Sequence, residues 1–144
     1  MTAAPAYPAT RYDPAPIVDL SEPKERQRLA RGALRAFFNI VDRWSLKDAD
    51  ARALLGGVSN GTYYAWKRDP HPRALDEDTI RRISYLVGIF KALNILYGEK
   101  LADAWVSLPN ANRIFAGAPP LAYMIAGGLP AFQTVRRLLD ARRG

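Results

Sequence analysis

An all-α fold is predicted for this chain of 144 residues, and three observations predict it. Apolar residues recur at three- and four-residue steps through most of the sequence. No run of alternating β-branched residues occurs anywhere. Proline falls between the periodic segments or at their starts, and paired glycines (Gly56-Gly57, Gly127-Gly128) mark breaks between them. With 49% apolar residues the chain can build a core of ordinary proportions, and the absence of cysteine excludes disulfides, thiolate metal sites and thiol catalysis together. Its 21 Lys plus Arg against 14 Asp plus Glu give a net charge of +7.

The elements follow in order. Residues 1–20 carry Pro5, Pro8, Pro14 and Pro16 without helical or strand period, and read as a disordered tail. Ser21, Glu22 and Pro23 signal a helix start, since proline in the first turn sacrifices no hydrogen bond. Leu29, Ala33, Phe37, Ile40, Val41 and Trp44 are expected on its core face, with Lys24, Arg28, Arg31 and Arg35 on its solvated face. Ser45 and Asp48 have the spacing of a capping box and open a short helix that ends at Gly56 and Gly57. A second short helix runs through Thr62, Tyr63, Trp66 and Lys67 and stops before Pro70. Asp76, Glu77 and Asp78 place negative charge at the start of a long helix, where the macrodipole favours it. Ile80, Ile83, Leu86, Val87, Phe90, Leu93, Leu96 and Tyr97 form its apolar stripe, and Gly98 ends it. Three shorter helices are expected beyond: one from Leu101 to Val106, one from Pro120 to Gly127 and Gly128, and one from Pro130 with Phe132, Val135, Leu138 and Leu139 inward. The resulting division is a tail (1–20), a helical region (21–98) and a C-terminal helical domain (99–144).

Several function classes are disfavoured. The uncharged stretch from Ile114 to Val135 is long enough to cross a bilayer, but three prolines and three glycines break it into turns, so no membrane partner is expected. Met1–Thr10 lacks the basic start and apolar run of a secretory signal, which points to the cytoplasm. The single histidine, His71, sits between two prolines with no second ligand beside it. No glycine-rich phosphate loop is present. The expectation is therefore a protein without catalysis, metal or cofactor.

Residues 48–68 carry the strongest signal. In a helix-turn-helix a small residue lets the helices approach, a glycine four positions later makes the turn, and apolar residues pin the second helix to the first. Ala53, Gly57, Val58, Tyr63 and Trp66 have that spacing. Asn60, Thr62, Tyr64, Lys67 and Arg68 then point outward, with amide, hydroxyl and cationic groups suited to bases and phosphates. Residues 21–75 hold 11 Lys plus Arg against 6 Asp plus Glu, a net of +5 around this motif. Gly56 and Arg52 stand where apolar residues are usual, and a helical hairpin with a glycine turn also occurs in plain all-α cores.

The ordered set LLGGVSNGTYYAWK, a long helix, Ala104-Trp105-Val106, Leu108-Pro109-Asn110, Phe115-Ala116-Gly117 with Pro119-Pro120-Leu121, and Gly127-Gly128 before a terminal helix resembles the Xre/MbcA/ParS antitoxin family over residues 45–144. The resemblance implies an antitoxin with an N-terminal helix-turn-helix and a C-terminal toxin-binding domain. It implies a RES-domain toxin as partner, one that degrades NAD or uses it for ADP-ribosylation and is neutralised by a cover over its active site. It also implies a homodimer within a hetero-oligomer and repression of its own operon. Ala118, between the usual glycine and the proline pair, departs from the family pattern. In this reading the toxin-binding residues are Asn110, Tyr123, Met124, Phe132, Arg136, Arg137, Arg142 and Arg143. The large apolar groups would serve as anchors or equally as core, and the terminal arginines would supply charge or complement the helix dipole. The alternative is a free-standing helix-turn-helix repressor that dimerises through its C-terminal half.

Overall fold

The computed structural model describes residues 19–72 and 75–143. The expected tail lies outside them except at Asp19 and Leu20. Among the described residues the chain forms seven α-helices, two short 3-10 turns and no strand, as the periodicity predicts. Helix α1 spans Pro23–Arg43, α2 Asp48–Leu54, α3 Asn60–Arg68 and α4 Glu77–Leu96. The C-terminal stretch holds α5 (Glu99–Ala104), 3-10 turns at Trp105–Ser107 and Arg113–Phe115, α6 (Pro120–Gly127) and α7 (Leu129–Arg143).

Helix α4 is the centre of the fold. Helix α1 packs on one side of it and α7 on another, and α6 packs against α7. One continuous core runs from Ala30 and Leu34 of α1 through Ile83, Leu86, Ile89 and Leu93 of α4 to Phe132, Val135 and Leu139 of α7. Helices α5, α6 and α7 thus have no core of their own. The inward faces differ in detail from those the sequence predicts. On α1, Ala30 and Leu34 are buried, whereas Leu29 and Ala33 are only half-buried. On α4, Ile89 and Ala92 enter the core, while Val87, Phe90, Leu96 and Tyr97 lie at its edge.

The helix starts show which local signals act in the folded chain. Pro23 occupies the first turn of α1, and α7 begins at Leu129, one residue before Pro130. Asp76 caps α4 by accepting a hydrogen bond from the Thr79 N–H at 2.7 Å, and Ser59 caps α3 by accepting from the Thr62 N–H at 3.2 Å. The capping box at Ser45 does not form. Ser45 adopts a left-handed φ of 53° that closes the end of α1, Lys47 precedes α2 without a side-chain cap, and the Asp48 carboxylate turns away to another helix. The Arg113–Phe115 turn has no helical period. It is held by Asn112, which accepts from the Ile114 N–H, and released by Ala116 (φ 50°) and Gly117 (φ 81°) in left-handed conformations.

Candidate nucleic-acid interface

The turn between α2 and α3 is made by two consecutive glycines. Gly56 has φ 94° and Gly57 φ 82°, conformations that side-chain-bearing residues rarely adopt. The Gly57 N–H donates to the Arg52 carbonyl at 2.8 Å, closing α2. The two residues that break the usual pattern both have work here. Arg52 reaches forward, and its Nε donates to the Val58 carbonyl at 3.0 Å, bracing the loop. Gly56 makes room for Arg82: a Cβ at position 56 would stand 3.2 Å from Arg82 Nε.

Arg82 is a joint of the whole molecule. Its Nε bonds Asp78 at 2.7 Å and its Nη1 points to the Leu54 carbonyl at 3.4 Å. The guanidinium lies 5.8 Å from the centre of the Phe132 ring. It thereby ties the end of α2, the start of α4 and the start of α7 to one another.

Helix α3 is pinned by Tyr63, which is fully buried and meets Phe38 of α1 in a tilted ring contact at 5.6 Å. The Tyr63 hydroxyl donates to Asp48 Oδ1 at 2.7 Å, and burial followed by this carboxylate raises its pKa. Tyr64 donates to Asp48 Oδ2 at 3.1 Å, and Lys67 Nζ bonds Oδ1 at 2.9 Å. Asp48 therefore gathers three side chains of α3, and the Lys67 bond, then the Tyr63 bond, lowers its pKa. Trp66 is only half-buried, unlike Trp105, which is 7% exposed.

All five outward residues predicted on α3 are exposed: Asn60, Thr62, Tyr64, Lys67 and Arg68. Their readiness differs. Lys67 and Tyr64 are tied to Asp48, and Thr62 accepts from the Ser59 hydroxyl at 3.0 Å. Arg68 makes no ion pair among the described residues. Asn60, Tyr64, Lys67 and Arg68 share one face of this short helix, with Thr62 exposed on its far side, and their amide, hydroxyl and cationic groups are of the types that read base edges and phosphates.

The predicted C-terminal residues are not brought together as one surface. Met124 and Phe132 are corrected: both are fully buried in the core and unavailable to a partner in the folded chain. Arg136 is likewise occupied, bonded to Asp140 at 3.0 Å and laid across α4 over Gly88, where an added Cβ would collide with its Nη1. Asn110 organises its own loop, accepting from the Asn112 N–H at 2.9 Å. Tyr123 is half-buried and meets Phe115 edge-on at 5.3 Å. Arg142 donates to the Tyr97 hydroxyl at 3.0 Å, and Arg143 lies 3.6 Å from Asp140. Arg137 and these last two remain exposed at the end of α7. Asp48 and Arg82 are organisers that local pattern does not reveal, because they join segments distant in sequence. Only Arg52 and Gly56 left a trace in the sequence, as departures from the motif.

No group of three potential metal ligands occurs among the described residues, and the His71 ring pairs with Asp69 in its loop. No described helix is long and apolar enough to cross a membrane.

A short helix pinned by a buried tyrosine behind a glycine turn, with polar and cationic residues outward, defines a helix-turn-helix protein. Residues 25–88 match the antitoxin Xre-like helix-turn-helix domain, the kind of domain carried by DNA-binding antitoxins and repressors. The chain is also 38% identical over 125 residues to the uncharacterized protein y4oB of Sinorhizobium fredii, spanning 86% of this chain and 94% of that protein. It belongs to the family of that protein, with an Xre-like antitoxin helix-turn-helix as its N-terminal part. No solved structure matches it significantly.

Proposed function

We propose that this protein is a cytoplasmic antitoxin that neutralises a RES-domain, NAD-consuming or ADP-ribosylating toxin and represses its own operon. The observation that carries the reading is the antitoxin-type domain over residues 25–88 with the outward face of α3 exposed. In this reading α3 enters a groove of operator DNA, with Asn60, Thr62 and Tyr64 toward base edges and Lys67 and Arg68 toward phosphates. The C-terminal stretch covers the toxin's active site, and the ordered Trp105, Pro109-Asn110 and Gly127-Gly128 set supports that assignment. The toxin is held by Asn110, Tyr123, Arg137, Arg142 and Arg143, because Met124 and Phe132 are buried and Arg136 is paired with Asp140. The antitoxin acts as a homodimer within a larger assembly and holds no cofactor.

Co-expression with a RES-domain protein encoded beside it tests the proposal. The expected outcome is a complex that survives purification, preserved cellular NAD and restored growth. Changing Arg137, Arg142 and Arg143 together to Glu should weaken the complex, since it reverses charge on exposed groups and leaves the packing intact. A wild-type chain that never binds the RES-domain protein leaves the repressor reading, in which the C-terminal half only pairs two copies.

A further inference from the structure

We infer that the groove between α1 and α4 is a docking site for an acidic amphipathic helix of a partner protein. Along this groove Leu29, Gly32 and Ala33 of α1 face Ile83, Ser84 and Val87 of α4 around a cavity of about 350 Å³. Its floor is apolar, and a second depression of about 300 Å³ continues from Ser84 to Arg136. The half-buried state of Leu29, Ala33 and Val87 follows from this opening, because the described chain supplies no side chains to cover them.

Gly32 gives the groove its depth. It sits in the middle of a 21-residue helix, where glycine is the poorest residue after proline. A Cβ at position 32 would meet nothing within 4 Å, so no packing among the described residues requires the glycine. A bare backbone on the groove wall instead lets a second helix approach closely, since the distance between packed helices is set by the side chains where they touch.

Charge decides the occupant. Lys24, Arg31 and Arg35 are exposed on α1, in a stripe along the helix that borders the groove at Arg28. None of the three makes an ion pair among the described residues, whereas Arg28 bonds Glu25 at 2.7 Å. Exposed Lys91 lies about two turns beyond Ser84 on the α4 side. A helix laid here with leucine-like residues down and carboxylates at its flanks satisfies floor and rim together. A second copy of α1 would set the same cations against one another. A duplex offers no side chains for the apolar floor, and a flat bilayer cannot reach a recessed one.

Fluorescence anisotropy of the full chain with two labelled synthetic amphipathic peptides of roughly 18 residues tests the site. Both carry the same leucine stripe, with glutamate flanks in one and lysine flanks in the other. The glutamate peptide should bind at least about tenfold more tightly than the lysine peptide. Gly32→Leu fills the groove where space is open, so the variant should melt no lower than wild type and bind the glutamate peptide about tenfold or more weakly. Arg31→Glu with Arg35→Glu should have the same effect from the rim. Failure of the glutamate peptide to bind, equal binding of both peptides, or unchanged affinity in Gly32→Leu overturns the inference. Displacement of the peptide by a random-sequence duplex would make the stripe a phosphate surface, and a wild-type dimer that Gly32→Leu converts to monomer would make the occupant a second copy. Either result also overturns it.

Discussion

Single residues in this protein do work that their neighbours in sequence do not reveal. By spacing alone Trp66 and Trp105 look alike, since both sit on apolar faces of short helical segments. The structure separates them: Trp105 is buried and meets Phe115 edge-on at 5.9 Å, while Trp66 keeps part of its ring in water. Trp105→Ala should therefore cost about 3 to 5 kcal/mol through the cavity it leaves. Trp66→Ala should cost about half as much, because less apolar area returns to water. Denaturant unfolding of the two variants measures the difference, and equal losses would show that Trp66 is buried in solution. Asp48 is a second case. At the sequence level its carboxylate suits the first turn of α2, and it does lie there. Its side chain is nevertheless spent on Tyr63, Tyr64 and Lys67, fifteen to nineteen residues away, a pairing that exists only once α2 and α3 have met.

At the scale of elements, α3 shows what charge pairing does to a recognition surface. Lys67 and Arg68 are adjacent and both exposed, yet Lys67 shares its charge with Asp48 and Arg68 does not. Arg68→Ala should accordingly weaken binding to the protein's own promoter more than Lys67→Ala. It should also lower the slope of log affinity against log salt by about 0.9 for each phosphate that is no longer neutralised. Filter binding at several salt concentrations reads both quantities, and a slope unchanged in the double variant would remove these residues from the interface. The elements themselves were legible because each depends on local pattern. The period of α1 and α4, the proline starts of α1 and α6, and the glycine turn after α2 are all written within a few residues. The rotation of α1 by which Ala30 and Leu34 replace Leu29 and Ala33 in the core was not legible, since it depends on how α4 lies against it. The same reason hid the fate of Met124 and Phe132: an apolar residue on a short helix reads alike whether it faces a partner or its own core.

For the molecule as a whole the decisive fact is that α7 completes the core built by α1 and α4. Phe132, Val135 and Leu139 are fully buried, and Phe132 lies under the guanidinium of Arg82, which also reaches the end of α2. The helix-turn-helix thus rests on residues far downstream of it, beyond the end of the matched antitoxin domain at residue 88. Deletion of residues 129–144 should consequently do more than remove a C-terminal surface. Three core side chains would be lost at once, each worth about 2 to 5 kcal/mol, which together are as large as the whole stability of an ordinary domain of this size. Circular dichroism should show the truncated chain without a cooperative melt, and DNA binding should disappear along with any toxin binding. The triple Arg137, Arg142 and Arg143 change to Glu removes no buried group, so it should melt within a few degrees of wild type and retain promoter binding. A truncated chain that melts cooperatively and still binds the promoter would show that residues 19–128 close a core without α7, and that the two halves of the protein fold separately.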